Sequence, residues 1–293
     1  MGMVARFRTR SLTVALPLLA VAGAPLAPDT STRAVVKAAA EYVAEYQPQL
    51  TAVVADEVYA QQIVVQAPRD PDMPRLRHMR SEVFFMFAPA THHWMAIRDV
   101  IELNGVVLRD RPDLRDALQT LPAPDVAAKF KQYNSRFNIG RTFRNFNEPT
   151  LSLLVLDAQH RGRFWFSRKR VERTSDAVLV TMAFEEKDTP TLIHDPSRGR
   201  VFAKGELTVE AGTGRIRRTR LTAKNDAVRL ELTTEYSHDA RLGMWVPTLF
   251  REDYEHRVEP RSRGFDRSSD HERISCEARY SNFRRFETSV RIK

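Results

Sequence analysis

Residues 200–254 read RVFAKGELTVEAGTGRIRRTRLTAKNDAVRLELTTEYSHDARLGMWVPTLFREDY, and this stretch decides the fold. In steps of two, Val201, Ala203, Gly205, Leu207, Val209 and Ala211 are apolar or small, while Lys204, Glu206, Thr208 and Glu210 are polar. Gly212-Thr213-Gly214 is a turn signal, and an arginine-rich run follows from Arg215 to Lys224. Asn225-Asp226 breaks the pattern again before Val228, Leu230, Leu232, Thr234 and Tyr236 alternate against Arg229, Glu231, Thr233 and Glu235. A period of two places one set of side chains on each face of a pleated strand. Strands joined by short Gly, Asn or Asp turns make an antiparallel meander with one dry face and one wet face.

Strand patterns extend this meander in both directions. Downstream lie Trp245 to Val258 and a final long strand from Ile274 through Phe286 towards Ile292, separated by a charged loop over Arg257 to Asp270. Upstream, Arg163 to Glu172 and Ala177 to Lys187 form a hairpin about Thr174-Ser175-Asp176. Nearer the N-terminus come Leu50 to Val65, Leu76 to Phe87 and Trp94 to Leu103, with Asn104-Gly105 as the strongest hairpin turn signal. A helix capped by Ser31 or Thr32 precedes them, and Pro48 is expected to end it, with a run past Pro48 as the competing reading.

Between residues 110 and 160 the period changes to about 3.6. Asp110 is read as the cap of a short helix carrying Leu114, Ala117, Leu118 and Leu121. A second helix from Asp125 shows Val126, Phe130, Tyr133 and Phe137 on one face. A third, after Asn147, has Leu151, Leu153, Leu154, Val155 and Leu156, apolar nearly all round and therefore covered on most sides. A single antiparallel sheet of this many strands must curl to bury its dry face. The predicted class is α+β: a large curled antiparallel sheet, or half-barrel, covered by the N-terminal helix and the helical insertion at about 110–160.

Residues 1–24 have the pattern of a secretory signal peptide, with Arg6, Arg8 and Arg10 ahead of the apolar run Leu12 to Ala22. Residues 25–293 then form one β-rich domain, periplasmic or secreted; no cysteine near the cleavage site can carry a lipid anchor. Removing the three arginines of the leader from a net charge of +9 leaves +6. Cys276, the single cysteine, rules out an intrachain disulfide and lies on the apolar side of a strand. Basic residues are interspersed with acids and accompany no DNA- or RNA-binding motif, so no nucleic acid is expected. An anionic membrane surface remains a candidate partner for the basic clusters at 168–170 and 215–220.

The phrase Gly205 to Ile216 (GELTVEAGTGRI) is similar to the strand-turn-strand of bacterial lipoprotein carriers of the LolA/LolB type. The segments Leu76 to Ser81, Arg98 to Val100, Arg109 to Arg111, Tyr133 to Gly140 and Leu242 to Pro247 resemble an uncharacterised family of secreted bacterial proteins. The first resemblance implies helices plugging a half-closed barrel and a lipid or acylated protein as partner. The second implies no activity.

Asp99 shares its strand face with His93, Met95, Ile97, Ile101 and Leu103 when counted by two. A carboxylate among apolar neighbours needs a partner, and Arg109 and Arg111 are expected to form a buried ion pair with it. Adjacent His92 and His93 point to opposite strand faces and make a poor metal site, and no zinc spacing is present. No metal or cofactor is expected. Asp157 and His160 lack a nucleophile, and no G-x-S-x-G occurs; no catalytic residue can be named. Trp165 and Trp245 are read as core fillers. Two functions follow. One is a binding protein for a hydrophobic ligand held by Leu207, Val209, Leu230, Leu232, Phe130, Phe137 and Leu154, with the helices as a lid. The other is an envelope interaction protein in which the same residues fill each other's space and hold no ligand.

Overall fold

The computed structural model describes residues 27–65, 75–140, 148–195, 199–226, 228–258 and 270–286. The expected signal peptide, the middle of the 257–270 loop and the chain beyond Phe286 lie outside them.

The chain opens with α1 (Thr32–Leu50), capped by the Ser31 hydroxyl accepting from the Ala34 N–H. Four strands follow: β1 (Val53–Val65), β2 (Leu76–Ala88), β3 (His93–Leu103) and the short β4 (Val106–Val107). Next come α2 (Leu114–Thr120), α3 (Ala123–Asn134) and a 3-10 segment at Leu151–Leu156. The hairpin β5 (Phe164–Arg173) and β6 (Val178–Glu186) precedes a two-stranded flap, β7 (Ile193–Asp195) and β8 (Gly199–Val201). The meander closes the chain as β9 (Ala203–Glu210), β10 (Ile216–Lys224), β11 (Val228–Asp239), β12 (Met244–Val258) and β13 (Asp270–Arg285). Eleven strands form one sheet in the order β4-β3-β2-β1-β13-β12-β11-β10-β9-β6-β5, antiparallel throughout. The last strand pairs with the first, as in Tyr59 opposite Ala278.

The sheet is strongly curled. In the ladder β3 and β11 stand five steps apart, which in a flat sheet is roughly 24 Å. Yet Trp94 of β3 and Tyr236 of β11 both touch the Tyr46 ring of α1, at centroid distances of 6.1 and 6.5 Å. The half-barrel therefore wraps around α1, and the alternation of the meander points inward: Leu207, Val209, Leu221, Leu230 and Leu232 join one continuous core with Val35, Val43 and Leu50.

Several boundaries differ from the sequence reading. Pro48 does not stop α1, which runs on to Leu50; near the end of a helix a proline forfeits one amide bond, and burial of Leu50 fixes the last turn. The cap of α2 is Asp113, not Asp110, and α3 begins at Ala123. The third helix is a six-residue 3-10 turn: the N–H groups of Leu151, Leu153 and Asp157 reach back three residues, to Glu148, Thr150 and Leu154. So short a segment cannot offset the cost of nucleating an α-helix by itself. In β3 a bulge at Ile101 shifts the register, so Leu103 joins the inner core whereas Met95 and Ile97 pack outside.

Gly214 fixes α1 against the sheet. Its φ of +72° is a left-handed conformation, and a Cβ there would lie 2.1 Å from the Ala38 carbonyl oxygen of α1. Gly214→Ala should cost about 2 kcal/mol, against a smaller loss for Gly243→Ala, where φ is +65° but nothing lies within 4 Å. Equal losses in urea unfolding would show that the helix contact contributes nothing.

Candidate functional site

The inner face of the half-barrel is filled by α1 and by the segment Glu148–Asp157, which enters between α1 and β10. All six residues from Leu151 to Leu156 are buried, Ser152 included. Its two ends are held by side chains rather than by the sheet ladder. At the entry, the Thr234 and Tyr236 hydroxyls donate to the Pro149 carbonyl at 2.7 and 3.1 Å. At the exit, the Asp157 carboxylate accepts from Gln47 Nε2 of α1 at 3.0 Å and from the Gln159 N–H at 2.9 Å, and meets His92 Nδ1 at 3.1 Å. Burial raises the Asp157 pKa, but these hydrogen bonds outweigh it and hold the carboxyl below its ordinary value. His92 reaches Asp157 because it adopts a left-handed φ of 50° in the β2–β3 turn. His160 Nε2 lies 3.1 Å from the His92 carbonyl, and its ring stacks on His93.

Burial pushes the Glu148 carboxyl from 4.5 to about 7, with Lys131 pulling the other way. A carboxyl raised in the folded state binds more protons there than in the unfolded chain, so its contribution is complete below about pH 4.5 and is lost as pH rises to about 7. Thermal melts should therefore show stability falling across that window. Glu148→Gln should flatten that part of the profile; an unaltered slope would remove Glu148 from the account.

Next to this anchored segment lies an aromatic cluster of Tyr42, Tyr46, Trp94, Phe87 and Tyr236. Within it the Tyr46 hydroxyl and the Trp94 indole N–H are buried and have no hydrogen-bond partner among the described residues. Buried donors of this kind carry a desolvation cost.

The interior near β1 and β3 also holds buried polar groups, which the sequence reading did not anticipate. Glu57 of β1 and Arg98 of β3 form a bidentate pair at 2.5 and 2.7 Å, with almost no exposure of either side chain. Arg98 also lies 4.2 Å from the centre of the Tyr59 ring. Burial works against the Arg98 charge, but Glu57 more than offsets this and holds its pKa above the ordinary arginine value. Buried Glu252 accepts from the Tyr59 hydroxyl at 3.0 Å and from Tyr254. Gln61 binds the chain leaving α3 at two points, donating to the Phe137 carbonyl and accepting from the Ile139 N–H.

The predicted site residues fall on two sides of the sheet. Leu207, Val209, Leu230, Leu232, Leu154 and Phe137 share the inner core. Phe130 does not: with Val126, Leu114 and Leu118 it packs on Val54, Phe84 and Ile97 on the outer face. The chain passes from outside to inside between Phe130 and Phe137, so one helical stripe could not hold both. Asp99 is on the outer side as well, paired with Arg111, whereas Arg109 is exposed. Burial raises the Asp99 carboxyl despite Arg111 beside it. Asp99→Ala should lower stability by about 2 kcal/mol; an unchanged melting temperature would mean the pair contributes nothing. Trp165, read as a core filler, is 63% exposed because it alternates with buried Phe164 on β5 and so faces away from the core. Among the described residues no group of three or more His, Cys, Asp or Glu side chains is placed to hold a metal ion.

Curled sheet and inner helix define an α+β half-barrel. Solved structures similar to the chain include a LolA superfamily protein from Nitrosomonas europaea (15% identity, 89% of this chain and 96% of that one, TM-score 0.33). An outer membrane lipoprotein-sorting protein domain from Vibrio parahaemolyticus is similar at 9% identity, covering 87% and 94%, with TM-score 0.33. A DUF1329 family protein from Desulfovibrio piger is similar at 13% identity, covering 87% and 98%, with TM-score 0.36. No family model matches the sequence, and no curated protein matches it.

Proposed function

We propose that the chain is a binding protein of the cell envelope, periplasmic or secreted, for a hydrophobic ligand of the lipid or acyl class, and that residues 148–157 are the lid. One observation carries this reading: beside α1, the inner face of the half-barrel is covered by an apolar six-residue 3-10 turn and not by a second long helix or a strand. A segment with so few regular backbone bonds is cheaper to displace than a strand of the ladder. Its departure would uncover the inner face of β10, Leu221 included, and an acyl chain would bury the same surface at about 25 cal/mol per Å². The unpartnered donors of Tyr46 and Trp94 suit a ligand with acceptor oxygens, such as an ester or carboxylate.

A second reading, an envelope interaction protein with a filled core, is favoured by the packing: Leu207, Leu232 and Leu154 are each only 1% exposed. Native mass spectrometry of the gently purified protein and titration with a fluorescent fatty acid separate the two. A co-purifying lipid with saturable probe binding is expected. A bare mass together with no saturable signal would establish the filled core instead.

A further inference from the structure

We propose that the edge strand β5, together with the start of α1, is a docking surface for a bilayer containing anionic phospholipid. This surface lies at the open edge of the half-barrel, beside β5, and does not depend on the ligand reading above. Between α1 and β5 is an open cleft of about 410 Å³. Phe164, Phe166 and Val36 make its floor, and Arg33, Lys37 and Arg161 stand around it. Trp165 projects beside them with 63% of its surface exposed, the Lys187 ammonium 5.5 Å from its ring.

From 161 to 173 the chain carries six cations (Arg161, Arg163, Arg168, Lys169, Arg170, Arg173) against a single carboxylate, Glu172, which pairs with Arg170. The neighbouring strand β6 adds exposed Glu185 opposite Trp165 and, just beyond it, Lys187, which leaves the excess unchanged, and the nearest acids on α1 and its lead-in do not reverse this balance. Glu41 is taken up by Lys37 at 2.8 Å, and Asp29 lies beside Arg168. Positive charge on an edge strand also discourages edge-to-edge aggregation, but that role does not call for an exposed indole among the cations. Tryptophan flanked by Arg and Lys is the pairing suited to a membrane interface, where the ring sits at headgroup depth and the cations meet phosphate. The ten residues of β5 extend for roughly 33 Å, longer than any one headgroup. A lipid surface, unlike a lone amphiphile, can satisfy the whole strip.

Intrinsic fluorescence tests the assignment, because Trp94 is buried and Trp245 is only partly exposed. Vesicles containing phosphatidylglycerol should shift the emission to the blue, and phosphatidylcholine vesicles should not. Trp165→Phe should abolish the shift. The double variant Arg33→Ser/Arg161→Ser, altering exposed side chains only, should weaken vesicle binding roughly thirtyfold. Glycerol phosphate should leave the emission unchanged. A shift that persists in Trp165→Phe, equal binding to both vesicles, or the same response to glycerol phosphate would overturn the proposal. So would silence with anionic vesicles, whether or not the chain binds single-stranded DNA. Fatty-acid binding in the interior is a separate readout, so either proposal can fail while the other stands.

Discussion

Arg98→Ala is expected to destabilise the protein by about 3–5 kcal/mol, the range for breaking one side of a buried ion pair. The loss arises less from the missing contact than from what is left behind. Glu57 has no exposed side-chain surface, and both of its carboxylate oxygens receive hydrogen bonds from the guanidinium. Without Arg98 that carboxylate is left buried without its cation. The loss of the cation over Tyr59 adds a smaller amount. Replacing both partners, as in Glu57→Gln/Arg98→Met, should recover much of the stability, since removing the pair together strands no charge. Denaturant unfolding of the two variants checks this. If the double variant is no more stable than Arg98→Ala, the penalty lies in packing and not in an unpaired charge.

Leu154→Ala is expected to cost about 2–5 kcal/mol in unfolding free energy, and to tighten binding of a fluorescent fatty acid at the same time. Leu154 is 1% exposed at the centre of the lid segment, packed in the same core as Leu221 and Leu232. Truncation removes atoms that the inner face of the sheet cannot recover by collapsing, because the strands are fixed in their ladder. The same deletion weakens the segment that competes with the ligand, so less free energy opposes its displacement. A filled core with no ligand predicts only the first effect. Loss of stability without any gain in probe binding would therefore count against the lid.

The meander was legible because each of its strands has one wet and one dry face, and because glycine, asparagine and aspartate punctuate the turns. Leu207, Val209, Leu230 and Leu232 face inward as the alternation requires. The same rule misled on β3, which is covered on both faces: Trp94 and Val100 lie inside, Ile97 outside under α3. On such a strand alternation no longer separates core from solvent. Asp99 stands out by its parity, while its neighbour Arg98, which enters the interior to meet Glu57, carries no such signal. Gln61 and Glu57 on β1 break binary patterning for a related reason, since their partners come from distant segments that local spacing does not reveal. Five apolar residues within 151–156 signalled burial but were too few for periodicity to fix their conformation. The exposure of Trp165 follows from its parity on β5, opposite to that of Phe164 and Phe166, which a run of three aromatics conceals.

The most direct test of the central claim is amide hydrogen exchange at residues 151–157, with and without a saturating long-chain fatty acid. If these residues are a lid that the ligand displaces, their protection should fall when the fatty acid binds, while that of β9, β10 and β11 is kept. Binding that leaves 151–157 as protected as before, or protection unchanged because nothing binds, would contradict it.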